Sequence, residues 1–320
     1  MLMKFEDAAK AISAGKLCHV AGSEALLKKL PKGKWIGGST EYFMAQTGGQ
    51  VSDDALFVTE LPYEKFSITS YDAACIKDVT ADAYDFGFTI LIVPFDSDAH
   101  KEYAQNAANY QDMFIKTVVG WVSGVNLAKP GQTPIAVNGA SGEVFADRAV
   151  ALHLEVPGDK MVGVNIVNIF DADDASPVIR FREDGFSAKT CTVDGAETDF
   201  AQYIEKNGVD TKLPLIGDYS GVKINVSFRS VEDGRVNFYA PVFADIEYRL
   251  AKSLRDYAGA FGSQIAKLDV PSAAFSCNCI LNFLYGELEG KRIETFAGPI
   301  TFGEIAYQLV NQTLVYVTVE

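Results

Sequence analysis

The chain has 320 residues, 48% of them hydrophobic and 22% charged, with a formal net charge of −14 at pH 7. That length and apolar content support a large buried core and exclude disorder as the general state, and usual domain sizes point to two units or one large duplicated unit. The acidic balance, with no cationic cluster beyond the Lys28-Lys29 pair, argues against nucleic acid and anionic membrane as partners, because both are bound through clustered Lys and Arg.

The longest run without Asp, Glu, Lys or Arg, 270–286, contains Pro271, Ser272, Asn278 and Asn282 and reads as core, too polar for a membrane span. Acids among the first ten residues leave no continuous apolar export signal. Cys18, Cys75, Cys191, Cys277 and Cys279 are odd in number and scattered, which fits free thiols in a reducing cytoplasm.

In chain order, Phe5, Ala8, Ala9 and Ile12 predict a helix over 4–14, followed by a buried strand over 17–20 and a helix over 23–30 capped by Ser23. Trp35-Ile36 leads into a Gly-rich turn, 37–41, then strands are expected over 55–59, 66–69 and 86–95 and a long helix over 97–121. From 134 to 236 the pattern becomes antiparallel β, with Asp184-Gly185, Asp194-Gly195 and Asp233-Gly234 as hairpin signals and one helix near 200–206. The spacing of Ile246, Leu250, Leu254 and Tyr257 predicts a second long helix over 243–261.

The end of the chain repeats the order of its beginning: helix, strand over 273–276, helix over 279–288, strand over 291–296, Gly turn over 298–304 and strand over 312–319. The expected fold is mixed α/β, with β-sheets covered by helices and an internal duplication that sets two Gly turns beside one cleft.

Chemistry is expected at those turns, because two glycines and a proline in Gly298-Pro299-Ile300-Thr301-Phe302-Gly303-Glu304 bring the backbone close and deliver a carboxylate. The candidate ligand-binding set is Gly37, Gly38, Ser39, Thr40, Cys277, Asn278, Phe302, Gly303 and Glu304, with Phe43 and Tyr307 as further aromatic neighbours. His19, His100 and His153 lie on separate segments without metal spacing, and Asp171-Ala172-Asp173-Asp174 lacks the Gly and distal Glu of a calcium loop, so no metal site is expected. Two other chemistries stay open: a hydrolase or transferase using Cys277 as nucleophile, and haem held axially by His100, with Tyr110 and Met113 on the same expected helix.

The run from Phe296 to Ile305 followed by Asn311-Gln312-Thr313-Leu314-Val315 resembles the closing signature of FIST domains, a bacterial sensory family. Ile36-Gly37-Gly38-Ser39-Thr40, residues 134–142, Val193-Asp194-Gly195, residues 227–234 and Phe275-Ser276-Cys277 resemble the same family in the same order. The resemblance implies an N-terminal region over 1–197 and a C-terminal region over 198–320. It implies a non-enzymatic sensor of small ligands, amino-acid-like ones among them, in a family usually joined to signalling output domains; some members bind haem and respond to nitric oxide. With Glu320 directly after the last expected strand, any signal is expected to pass to a separate partner. Where many members have Gly-Arg after the Ser-Cys, this chain has Asn278-Cys279, so the arginine that would clamp a carboxylate is missing there.

Overall fold

The computed structural model describes residues 1–219, 221–268, 273–293 and 296–320. The continuous apolar runs become strands covered on both faces: Cys18–Gly22 and Val118–Ser123 are buried throughout, and Gly87–Pro94 nearly so. Each joins a six-stranded sheet, and three such sheets have the same layout. The first runs Leu2–Lys4, Ala55–Glu60, Cys18–Gly22, Trp35–Ser39, then the hairpin 136–145. The second runs Phe66–Tyr71, Ala149–Glu155, Gly87–Pro94, Val118–Ser123, then the hairpin 304–310. The third runs Val162–Val167, Leu314–Val319, Phe275–Cys279, Gly298–Thr301, then the hairpin 42–51.

In each sheet the third and fourth strands are parallel, which requires a crossover, and a helix supplies it: Glu24–Leu27, Asp98–Asn106 or Ile280–Tyr285. Ser97 caps the second of these, its hydroxyl accepting from the His100 backbone N–H at 3.1 Å. Each sheet ends in a hairpin whose chain neighbours belong to another sheet, and the exchange is cyclic. The main core lies where the three sheets meet, with Ile36 and Phe57 from the first, Ile92 and Trp121 from the second, and Cys277 and Val315 from the third.

Residues 168–256, between Val162–Val167 and the helix Tyr257–Ile265, build a separate β layer. A six-stranded and a three-stranded sheet pack there around Phe181, Phe200, Phe238 and Tyr248. Position 197 falls within its strand Ala196–Asp199.

Two hairpins form at the expected turns, with Asp194 and Gly195 at φ 48° and 83° and Asp233 and Gly234 at 51° and 67°, the left-handed geometry of a two-residue connection. Asp184-Gly185 instead opens the strand Gly185–Ala188. The helix expected over 97–121 stops at Asn106, followed by a short 3₁₀ turn, and the β-rich stretch after Thr117 becomes the central strand Val118–Ser123. The helix expected over 243–261 is replaced by the strand Glu247–Leu250 and the later helix Tyr257–Ile265. Positions 246, 248 and 250 satisfy a period of two as well as Ile246 and Leu250 satisfy a period of four, and burying Tyr248 in the inserted layer decides for the strand. Of the strand expected over 291–296, residues 294 and 295 lie outside the described residues, and their described neighbours are not in a strand.

Candidate functional site

The two Gly segments meet through Thr40 and Ile300, and the strand that follows the first pairs Phe43 and Met44 with Pro299 and Gly298. Their glycines answer a packing demand. A Cβ on Gly38 would sit 2.6 Å from Ile92 and 2.7 Å from Trp121, and one on Gly37 would sit 2.9 Å from the Trp35 ring and 3.0 Å from the Val20 carbonyl. The Ser39 hydroxyl donates to the Gly124 carbonyl at 2.8 Å and accepts from the Ile135 N–H, while Thr40 donates to the Ile300 carbonyl at 2.7 Å. Both hydroxyls thus fasten one sheet to another. Phe302 covers Gly124, whose Cβ would fall inside the ring edge at 1.9 Å.

Cys277 is buried, donates its S–H to the Gly120 carbonyl at 3.4 Å, and is held by burial well above the ordinary thiol range. A nucleophile needs a thiolate with access, and this thiol has neither. Asn278 accepts from the Asn282 amide at 2.9 Å, and its own Nδ2 has no hydrogen-bond partner among the described residues.

Glu304, fully buried, is the centre of a polar network. Its carboxyl meets the Thr301 hydroxyl at 2.9 Å and the Thr313 hydroxyl at 2.8 Å. Burial, which penalises the charged form, raises its pKa to about 8 against the hydrogen bonds from Thr313 and Thr301 that lower it. The geometry agrees with a neutral acid. No Lys, Arg or His pairs with it among the described residues, and it is held only by neutral groups, the Thr301 hydroxyl donating to one carboxyl oxygen and the Thr313 hydroxyl to the other. The network continues from Asn282 to the Tyr257 hydroxyl at 2.7 Å, to Gln312 at 3.2 Å and to Ser227 at 2.6 Å, reaching the inserted layer.

Around these residues there is little room. The cavities beside Ser39 and Thr40 and beside Cys277 and Asn278 each measure about 10 Å³, enough for one water at most. In the first of them, Glu41 lines the space, is ion-paired with Lys129 at 2.8 Å and accepts from the Asn126 amide at 2.6 Å.

A roomier crevice opens at the C-terminal end of Gly87–Pro94, where the inserted layer folds over it. Its volume is about 150 Å³, and it is lined by Phe95, Asp96, His100 and Lys101 from the body and by Phe186, Ser187, Arg229, Asn237 and Phe238 from the inserted layer. His100 is 3% exposed, its ring 5.5 Å from Phe95 and 5.6 Å from Phe186 between centroids. Burial lowers its pKa to about 4, so it is neutral at pH 7. Its Nδ1 accepts the Asp96 N–H at 3.4 Å, which leaves the proton on Nε2, and Nε2 has no partner among the described residues. The volume suits a ligand the size of one benzene ring and excludes a porphyrin, so the haem expectation at His100 is set aside on size.

Two wider grooves of about 430 and 620 Å³ contain no buried unpaired polar atom among the described residues. Nor, among those residues, does any group of three His, Cys, Asp or Glu side chains form a metal cluster, or any helix reach the length and apolarity needed to cross a membrane.

A family profile matches residues 3–320. The chain belongs to DUF6976, a family of unknown function. This corrects the FIST resemblance, since no FIST profile matches. The Gly-Glu-Ile run that suggested it is a tight connection from the strand Gly298–Thr301 into the hairpin 304–310. No curated protein matches the chain.

Lys101, Phe186, Arg229 and Asn237 were missed in the sequence. Only the His100 position carried a signal, as a histidine at a helix start.

Proposed function

We propose that this DUF6976 protein is a non-enzymatic binder of a small molecule, acting in the cytoplasm through a separate signalling partner, with the His100 crevice as its site. The observation that carries the reading is the cavity of ligand size at the C-terminal end of a parallel strand pair, the place where open α/β sheets bind ligands. The corresponding ends of the other two parallel pairs are closed by Glu41 and Glu304. We also read the common layout of the three sheets as repetition of one unit, the third copy carrying residues 168–256 as an insertion.

A ligand in this crevice touches the body and the inserted layer at once, so binding would change how firmly the two hold together, and a partner could sense that. Native mass spectrometry of freshly purified protein tests the reading directly. Added mass that leaves on denaturation, together with slower amide exchange over 185–188 and 228–232, is the expected result. Unchanged exchange there in the presence of any co-purified or added small molecule would overturn it.

A further inference from the structure

We infer that the His100 crevice takes a short-chain carboxylate, its carboxylate group received by the His100 Nε2–H and the Arg229 guanidinium and its carbon chain lying between Phe95 and Phe186. This rests on the crevice being a ligand site at all.

Three independent features of the crevice point to this class. The first is the unpaired donor. A buried N–H without an acceptor costs roughly 1–3 kcal/mol, and a ligand oxygen removes that cost. A ligand bearing only donors would leave Nε2–H unmatched.

The second is charge. Lys101 and Arg229 are two cations against the single carboxylate of Asp96, in a chain whose overall charge is −14. Asp96 is 3.2 Å from Lys101 and 3.7 Å from Arg229, and its side chain is 53% exposed, so both pairs are loose surface contacts. Arg229 keeps its planar fork free of close carboxylate bonds among the described residues, and its guanidinium lies 5.2 Å from the Phe95 ring centre, which fixes its orientation. The first turn of Asp98–Asn106 adds the positive end of its dipole.

The third is the wall. Phe95, Phe186 and Phe238 give the crevice apolar sides, and the volume of about 150 Å³ limits the ligand to a few carbons beyond the carboxylate. Inorganic phosphate or sulfate would fill the charged end and leave the aromatic end empty.

The test uses butyrate, its uncharged counterpart butyramide, and butylamine, each titrated into the full-length protein while the His100 ring resonances are followed by NMR. Arg229 is an exposed residue whose replacement leaves the core untouched, so Arg229→Gln is the variant of choice. Butyrate is expected to shift the His100 signals and to bind about tenfold or more tightly than butyramide, and Arg229→Gln is expected to remove about that factor, the loss of one charge-assisted hydrogen bond. The variant should leave butyramide within about twofold of its starting affinity. Equal binding of butyrate and butyramide, or preference for butylamine, would overturn the carboxylate assignment and leave the crevice as a ligand site. If none of the three moves the His100 resonances, both the assignment and the site fall.

Discussion

Replacing Glu304 by Gln should make the protein more stable at alkaline pH while changing little in acid. Glu304 is fully buried, and its pKa is raised from 4.5 to about 8, so the folded chain holds a proton that the unfolded chain releases across that interval. The stability this provides is fully present below about pH 4.5 and is lost as pH rises toward 8. At about 1.4 kcal/mol per pH unit, the loss from pH 5 to pH 8 is about 4 kcal/mol. Gln keeps the hydrogen bonds, with its amide N–H donating to Thr301 and its oxygen accepting from Thr313, and it has no charge to bury. For 320 residues unfolding as one unit, about 2.1 cal/mol/K of entropy per residue converts 4 kcal/mol into about 6 °C of Tm. The assay is calorimetry of both proteins from pH 5 to pH 8. Other titrating groups are common to both and cancel in the difference, so the Tm gap should open in favour of the variant by about that amount. Parallel curves would refute the neutral buried carboxyl.

Other outcomes follow from the same structure. Burial lowers the pKa of His19 to about 3 and of His100 and His153 to about 4, so all three are neutral in the fold and protonated in the unfolded chain below pH 6.5. Stability should therefore fall as pH drops from 6.5 toward 4, and an NMR titration showing any of the three with an ordinary midpoint near 6.5 would contradict their burial. Gly38→Ala should cost about 1–3 kcal/mol by overpacking against Ile92 and Trp121, read as a lower denaturant midpoint, whereas an unchanged midpoint would mean the sheets can separate without cost. Cys75, the exposed cysteine, should react with iodoacetamide well before Cys277, and equal rates would show that the Cys277 strand opens readily. Tyr257→Phe removes the hydroxyl that joins Asn282 to Gln312 and should cost about 1–3 kcal/mol, detectable by the same denaturant titration.

The elements that local sequence could reveal are those whose environment is local or extreme. Gly87–Pro94 is buried along nearly its whole length, so its apolar run admits one reading, and Asp194-Gly195 needs positive φ whatever surrounds it. Residues 246–250 fit two periods, and only Phe181 and the rest of the inserted core make Tyr248 an inward residue. Glu304 stood out by its glycines, but its burial depends on Thr301, Thr313 and the strand carrying Cys279, brought together from separate segments. His100 was legible as a helix-start histidine. The crevice was not, because Phe186 and Arg229 reach it from a layer inserted far along the chain, and no local pattern says where such a layer folds back.

The cyclic exchange of hairpins bears on how such a chain can be made. The second sheet has four strands before residue 156 and waits for 304–310 to close its edge, while 42–51 has no sheet to join until 298–301 exists. A nascent chain therefore carries an unclosed sheet edge and an unplaced hairpin through most of its synthesis, the kind of exposed β surface that holdase chaperones bind. The same interlocking means that a fragment ending near residue 160 would lack partners at both places, so folding should switch on late and all at once, with few stable partial forms.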